Sequence, residues 1–153
     1  MLHTIGYEGA SLDDLISTLQ LAGVEMLVDI RERAQSRRKG FSKTALSEAL
    51  ADAGIEYRHY RELGDPKEGR EAARSGDWVR FSEVFGQVLR SDAAQAALGE
   101  IEETAAHYTI CLLCYEREPK SCHRKIVSDE LEARLDVSTK HLGVRSGEAR
   151  RAA

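Results

Sequence analysis

The residues best suited to chemistry are concentrated in one short stretch, Cys111-Leu-Leu-Cys-Tyr-Glu-Arg-Glu-Pro-Lys-Ser-Cys-His-Arg124. An apolar strand is predicted to run into a charged loop and then into the start of a helix. Thiols serve as nucleophiles and redox groups, and a guanidinium binds phosphate or carboxylate with two parallel hydrogen bonds. Because polar residues beyond the end of a buried strand commonly form the active site of an open α/β sheet, we predict that function lies at this junction.

The segment from Ser121 to Arg124 is predicted to begin a helix, with Ser121 as the cap and Cys122 at the first helical position. The free backbone N–H groups and the dipole at a helix start bind an anion and favour a thiolate. Arg124 would then hold a phosphate or carboxylate, with His123 beside the same pocket. The alternative is that Cys122 is a packing residue and Arg124 pairs with a neighbouring acid.

Cys114 lies where the predicted strand opens into the loop, a position that presents a nucleophile, and Glu116 would transfer protons. The alternatives are a packed cysteine and a solvated loop charge. We do not predict a zinc site, because Cys111 and Cys114 are three apart and should point to opposite faces of a strand. Adjacent helical residues such as Cys122 and His123 lie about 100° apart, which also disfavours one shared metal. We expect neither a metal nor a cofactor.

Three further polar clusters follow predicted strands, and the carboxyl ends of parallel strands lie along one edge of a sheet. We therefore expect these clusters to meet the Cys114 loop. Within them, Gly6 ends the first strand, and Asp29 and Arg31 lie on one strand face, where they bind substrate or only form a salt bridge. The clusters are Gly6-Tyr7-Glu8-Gly9, Asp29-Ile30-Arg31 and His59-Tyr60-Arg61-Glu62.

A basic loop follows the second predicted strand and carries five positive charges against the single acid Glu32: Arg31, Arg33, Arg37, Arg38 and Lys39. Such a cluster suits a phosphate clamp in an otherwise acidic chain. The alternative is an ordinary solvated charge run. Phe41, which closes the run, would stack on a base or pack the next helix against the core.

Predicted strands alternate with predicted helices along the chain, which favours right-handed crossovers and a mainly parallel sheet. We predict a single three-layer α/β domain over residues 1–145, with four or five strands flanked by helices, and a flexible tail over 146–153. Residues 61–76 have few apolar side chains and are predicted to be a long loop or lid, and the sequence leaves their helical content open. The strands are expected at residues 3–5, 24–30, 55–60 and 108–114, with a short fifth at 141–144.

Composition sets limits on the class of protein. The chain has 153 residues, a net charge of −4 and 42% hydrophobic residues, which suits one domain with a real core and disfavours a globally basic nucleic-acid-coating protein. It begins without the pattern of a signal peptide and has no run long enough to cross a membrane. Three cysteines without an export signal suit reduced thiols, so we expect a cytoplasmic protein with no membrane partner. The oligomeric state is not indicated.

Several motifs in order resemble the family known as domain of unknown function 488: Thr4-Ile5-Gly6-Tyr7, Leu27-Val28-Asp29-Ile30-Arg31 with Ser36-Arg37-Arg38, Gly54-Ile55-Glu56-Tyr57, Glu62-Leu63-Gly64, and Leu112-Leu113-Cys114-Tyr115-Glu116 with Cys122-His123-Arg124. The resemblance spans residues 3 to about 135. It implies that the Asp-x-Arg, basic-loop, Cys-x-Glu and Cys-His-Arg elements form the functional region. It implies no particular reaction.

Two hypotheses follow from these observations. The first is an anion-binding pocket at the strand ends for a phosphorylated small molecule or nucleotide, in a thiol-dependent enzyme that uses Cys114, Glu116, Cys122 and His123. The second is a non-catalytic nucleic-acid-binding module that uses the loop from Arg31 to Lys39.

Overall fold

A five-stranded parallel sheet runs through the centre of the molecule in the order β3-β2-β4-β1-β5. The structure, a computed structural model, describes residues 1–152. The strands are β1 Leu2–Gly6, β2 Met26–Asp29, β3 Glu56–His59, β4 Ile110–Cys114 and β5 Thr139–Leu142. The helices are α1 Leu12–Leu21, α2 Lys43–Asp52, α3 Lys67–Arg74, α4 Trp78–Arg90, α5 Asp92–Ala105, α6 His123–Leu135 and α7 Glu148–Ala152. The predicted three-layer α/β fold with a parallel sheet is therefore confirmed.

The three central strands β1, β2 and β4 are buried on both faces, which the almost entirely apolar sequences of β2 and β4 predict, whereas β1 also buries His3 and Thr4. Successive side chains alternate between two cores. On one face, Val28 and Leu112 pack with apolar residues of α3, α4, α5 and α6. On the other face, Leu27 and Leu113 pack with leucines of α1 and α2, so the sheet forms the middle layer.

The strand register places the ends of β1, β2 and β4 side by side. Gly6 is aligned with Cys114, and Asp29 is aligned with Leu113 on one side and His59 on the other. Backbone pairing continues beyond the strands, because the N–H groups of Tyr7 and Glu8 donate to the carbonyl oxygens of Cys114 and Tyr115. The polar segments that follow these strands therefore meet at one edge of the sheet.

The region from residue 61 to 76 is more ordered than the sequence predicts. It contains a 3₁₀ turn, Arg61–Leu63, and the helix α3, so the prediction of a long loop is wrong, and α3 supplies the helical content that the sequence left open. The helix buries Gly69 and Ala72, which lie three residues apart on one face and fit closely against the core. The helix contains no large apolar side chain, although its charged and small residues lie on different faces, and this explains the difference.

The chain after β5 was expected to be a flexible tail, and its described part contains the short helix α7. Its start is held by Asp14 of α1, whose carboxylate accepts hydrogen bonds from the N–H groups of Gly147 and Ala149, both at 2.9 Å. The domain boundary at residue 145 stays a prediction. Within residues 1–152, none of the helices has the length and apolar character needed to cross a membrane.

Candidate active site

A cleft of about 650 Å³ opens at the carboxyl edge of the sheet. Its lining comes from segments far apart in sequence. Tyr7 and Glu8 follow β1, residues 31–33 follow β2, residues 114–116 end and follow β4, and residues 121–123 lead into α6. The strand-end clusters after β1, β2 and β4 therefore converge, as their positions in the sequence predict.

One wall of the cleft comes from the region that sequence analysis interpreted as a loop. Asp65, Arg70 and Arg74 line the cleft together with Trp78 at the start of α4. These residues were not predicted as part of the site. The spacing of Arg70 and Arg74, four residues apart, places two guanidiniums on one helical face and is the signal that identifies this wall.

The thiols of Cys114 and Cys122 meet at this cleft. Their sulfur atoms are in bonding contact as a disulfide, and the Cα atoms of the two residues are 7.4 Å apart. The thiol of Cys114 also lies 3.7 Å from Oε2 of Glu116. Cys114 and Cys122 are only 1% and 4% exposed, so the cleft is the route by which a ligand would reach either sulfur.

Side-chain directions along a strand and a helix predict that the three thiols diverge. This is correct for Cys111 but wrong for Cys114 and Cys122. Cys111 is buried in the core beneath α1 and α2, where burial raises the pKa of its thiol. Cys114 and Cys122 converge because the loop between them folds back through the 3₁₀ turn Pro119–Ser121. The prediction considered directions along a strand and a helix, and it omitted the path of the connecting loop.

Arg124 holds the loop between Cys114 and Cys122 in place from the protein interior. Its Nη1 donates to the carbonyl oxygen of Glu116 at 2.5 Å and to Sγ of Cys114 at 3.5 Å, and its Nη2 donates to the carbonyl oxygen of Arg117 at 3.0 Å. The side chain is fully buried and does not line the cleft. Among the described residues, no carboxylate forms a salt bridge with it.

The start of α6 is displaced by one residue from its predicted position. Cys122 is the N-cap, with an extended backbone and no side-chain capping hydrogen bond, and the helix begins at His123. The predicted positions of Ser121 as the cap and Cys122 inside the helix are therefore wrong. The cause is that residues 119–121 already form their own 3₁₀ turn. The helix start nevertheless faces the cleft, because residues 121–123 line it.

The family comparison agrees with the assignment that the motifs suggest. A family model described as "Domain of unknown function DUF488" matches residues 11–131. The chain belongs to the DUF488 family. No curated protein and no solved structure matches the chain. The DUF488 match includes both cysteines of the pair and Arg124, but it begins after β1, so Gly6, Tyr7 and Glu8 lie outside it.

In this DUF488 protein, Asp29 and Arg31 form a buried pair beneath the cleft. The Arg31 guanidinium binds both carboxylate oxygens of Asp29, with an Nη2–Oδ2 distance of 2.7 Å. Tyr57 donates to Oδ2 of Asp29 at 2.5 Å, and Arg31 also donates to the carbonyl oxygen of Phe41 at 2.7 Å. Asp29 raises the pKa of Arg31 against the opposing effect of burial. The pair thus has little capacity left for a ligand, although Arg31 lines the cleft.

Gly6 lies where β1 and the Cys114 loop approach most closely. A Cβ atom at this position would overlap the carbonyl oxygen of Glu116 and Nη1 of Arg124. Glycine is therefore required here because another backbone passes directly against it. Gly6 shapes the site without lining the cleft.

Other predicted residues lie away from the cleft. Arg37 and Arg38 are exposed on the loop before α2 and are absent from the cleft lining, and Arg38 donates to the carbonyl oxygen of Ala10. The cluster after β3 is also outside it. Its His59 instead contacts the carbonyl oxygen of Arg31, with Nε2 at 2.6 Å.

Burial changes the ionisation of three side chains that line the cleft. It raises the pKa of Asp65 to about 7 and raises the pKa of Glu116. It lowers the pKa of His123 to about 4, so this imidazole is neutral at pH 7. Since Nε2 of His123 faces the carbonyl oxygen of Ile30 at 2.7 Å, Nε2 carries the proton, and Nδ1 is the nitrogen that faces Sγ of Cys122 at 3.5 Å.

Proposed function

We propose that this protein is a thiol-dependent enzyme that exchanges disulfides with a small anionic substrate. The observation that carries the proposal is the contact between the sulfur atoms of Cys114 and Cys122 at a cleft that also contains exposed arginines. Two thiols that reach each other within a ligand-sized cleft provide both the attacking and the resolving group of a disulfide exchange.

Two of the four arginines that line the cleft are available for an anion. Arg31 is paired with Asp29, and Arg70 donates to Glu32 at 3.2 Å. Arg33 and Arg74 are exposed and make no side-chain ion pair within the described part of the chain. Guanidiniums of this kind bind the phosphate or carboxylate groups of a substrate.

Aromatic rings in the same cleft suit the organic part of such a substrate. Trp78 and Tyr115 are each 45% exposed although they line the cleft, and Tyr7 packs edge-on against Tyr115 with ring centroids 5.3 Å apart. A planar or apolar group would cover these rings. The combination favours a substrate with both an anionic and an apolar part, including a nucleotide-like one.

Cys114 is the better placed nucleophile, because the buried guanidinium of Arg124 donates to its sulfur and stabilises a thiolate there. Its thiolate attacks one sulfur of a substrate R–S–S–R′, the substrate S–S bond breaks, and R′S⁻ leaves and takes up the proton that Cys114 released. The Cys122 thiolate then attacks the Cys114 sulfur and releases RS⁻, which takes up the proton from Cys122. Two electrons pass to the substrate, and another thiol reductant restores the protein dithiol.

The test mixes reduced, metal-free protein with glutathione disulfide, which is anionic, and with cystamine, which is cationic. We expect glutathione disulfide to react faster, and we expect Cys122→Ser to accumulate glutathione on Cys114 in mass spectra. Arg33→Gln and Arg74→Gln should each slow the anionic probe about three- to tenfold and leave cystamine unaffected. Arg37→Gln is the matched control, because Arg37 is exposed but lies outside the cleft.

Reaction of Cys114 no faster than that of free cysteine at the same pH would exclude the proposed enzyme. If Arg33→Gln and Arg37→Gln slowed the reaction with glutathione disulfide equally, the proposal that the substrate is anionic would be excluded. Cys111→Ala controls for the third thiol, which lies in the opposite core.

Nucleic-acid binding is a second candidate, and the exposure of Arg37, Arg38 and Lys39 on one loop favours it. It predicts an affinity for oligonucleotides that falls steeply as salt rises, because phosphate contacts release counterions. Fluorescence anisotropy at two salt concentrations tests it, with Arg37→Gln together with Lys39→Gln as the variant. Absence of binding at low salt would exclude this candidate.

A further inference from the structure

We infer that the reduced forms of Cys114 and Cys122, together with Glu116, bind one soft divalent cation such as Zn²⁺. The two sulfur atoms and a carboxylate oxygen of Glu116 all lie within 4.8 Å of one another. Thiolates and a carboxylate are ligands that zinc accepts, and three protein ligands with a remaining open position form the usual arrangement of a reactive zinc centre. The open position here faces the cleft, which all three residues line.

The backbone around the thiols suits a bridging ion. The Cα atoms of Cys114 and Cys122 are 7.4 Å apart, whereas most disulfides join Cα atoms about 4.4–6.8 Å apart. A metal between two sulfurs replaces the single S–S bond by two metal–sulfur bonds of roughly 2.3 Å and therefore accommodates a wider backbone separation. A relaxed disulfide requires the two Cα atoms to approach each other, whereas a metal bridge requires only the two sulfur atoms to move apart.

The charge of Arg124 is the second, independent observation. This guanidinium is fully buried, donates to Cys114 and to two carbonyl oxygens, and forms no salt bridge with a carboxylate among residues 1–152. Burial is costly for this cation, and the acidic groups that favour its charged form include the carboxylate of Glu116, which belongs to the same cluster. Two thiolates, one carboxylate and one divalent cation together carry one net negative charge, which Arg124 balances.

The third ligand, Glu116, is also held in place by Arg124. Arg124 donates to the backbone carbonyl of Glu116, and this hydrogen bond fixes the residue whose carboxylate lies beside the thiol of Cys114. Side-chain directions along a strand and a helix disfavour a zinc site built from Cys111, Cys114, Cys122 and His123. The set inferred here is different, because it omits Cys111 and His123 and includes Glu116.

This inference goes beyond the proposed enzyme and does not depend on it. A metal ion and a substrate disulfide would use the same sulfur lone pairs, so the metal-loaded protein cannot carry out the exchange. Metal binding is therefore predicted to block the thiols reversibly. A two-electron oxidant such as hydrogen peroxide, which is reduced to water, is predicted to convert the two thiolates to the disulfide and release the metal.

The test titrates the reduced protein with Co²⁺ under anaerobic conditions and then displaces the cobalt with Zn²⁺. We expect one equivalent to bind, with the intense visible bands of tetrahedral cobalt and a near-ultraviolet thiolate-to-cobalt charge-transfer band. Cys114→Ser and Cys122→Ser should each lose about half of the charge-transfer intensity and weaken binding more than tenfold. Glu116→Gln should keep both thiolate contributions and weaken binding about tenfold.

Cys111→Ser is the matched control, because its thiol lies in the opposite core and should leave the cobalt spectrum unchanged. Circular dichroism of each variant establishes that it folds. A test that needs no variant is the labelling of wild-type Cys114 by iodoacetamide, which Zn²⁺ should slow. Only weak, octahedral cobalt bands, or an unchanged spectrum in Cys114→Ser, would overturn the inference. Failure of the exchange assay on metal-free protein would leave these spectra unaffected, so the two proposals fail separately.

Discussion

Nη1 of Arg124 lies 3.5 Å from Sγ of Cys114, ten residues earlier in the chain, and the same atom donates to the carbonyl oxygen of Glu116. One buried guanidinium therefore holds both the end of β4 and the loop that follows it. This contact determines the position of the thiol and the path of the backbone around it. The predictions below begin with that contact.

Replacing Arg124 should damage both stability and thiol chemistry. Arg124→Lys keeps the charge but loses the planar fork that binds two carbonyl oxygens. We expect it to lower the free energy of unfolding by about 2–4 kcal/mol, because buried carbonyl groups lose their donors. Urea unfolding measures this, and iodoacetamide labelling at fixed pH should show a slower Cys114. Lys120→Gln, on the exposed part of the same loop, should change neither measurement.

Gly6→Ala tests the close approach of β1 to the loop. The new methyl group would overlap the carbonyl oxygen of Glu116 and the guanidinium of Arg124. Overpacking of this kind costs about 1–3 kcal/mol of unfolding free energy, and the loop must move to relieve it. Gly99→Ala in α5 provides the control, because a Cβ there meets open space and should be neutral or slightly stabilising. Equal stability of the two variants would contradict the close contact.

Asn in place of Asp29 should leave Arg31 with a buried, uncompensated charge. We expect Asp29→Asn to lower the free energy of unfolding by about 3–5 kcal/mol, the range for breaking one side of a buried ion pair. Asp29→Asn combined with Arg31→Met should recover part of this loss, because the unpaired cation is removed as well. Denaturant unfolding of the single and double variants measures the coupling. Full stability of the single variant would show that the pair has no structural role.

Asp65 makes stability depend on pH in a defined direction. Burial raises its pKa in the folded state to about 7, above the ordinary value of 3.8, so the folded state holds this proton more tightly than the unfolded state does. The contribution of Asp65 is therefore most favourable below about pH 4 and is lost as pH rises to about 7. Asp65→Asn should match the wild type at pH 4 and exceed its unfolding free energy by roughly 2–4 kcal/mol at pH 8.

Urea unfolding of Asp65→Asn and the wild type across this pH range isolates the effect, because all other groups titrate in both proteins. Glu8→Gln serves as a control at the edge of the same cleft, since Glu8 is exposed and is not among the charged groups that change the pKa of Asp65. A stability difference between Asp65→Asn and the wild type that does not change with pH would contradict the raised pKa.

The sequence predicts the sheet well because its central strands are simple. Both faces of β2 and β4 are covered, so their sequences are almost entirely apolar, and the clusters after β1, β2 and β4 could be placed at one edge by topology alone. The helix α3 could not be predicted in this way. Its charged and small residues separate onto different faces, but its buried residues, Gly69 and Ala72, carry little apolar area, so its low mean hydropathy resembles that of a loop.

The candidate site was predicted in location but not in detail. The meeting of Cys114 and Cys122 depends on how their connecting loop folds, and that path is set by a buried arginine that sequence analysis interpreted as facing a ligand. A long cation at a helix start looks the same in sequence whether it faces solvent or the protein interior. The two are distinguished by the burial of Arg124 and by its hydrogen bonds to the carbonyl oxygens of Glu116 and Arg117.

The sheet order also determines when the cleft can form during synthesis. β1 pairs only with β4 and β5, whose first residues, Ile110 and Thr139, are synthesised more than a hundred residues after Leu2. The first strand therefore stays unpaired until β4 has emerged, and Cys114 lies at the end of that late strand. Contacts this distant in sequence form slowly, and unpaired apolar strands promote aggregation. Until β4 docks, both thiols remain accessible to oxidants and metals in an unfolded chain.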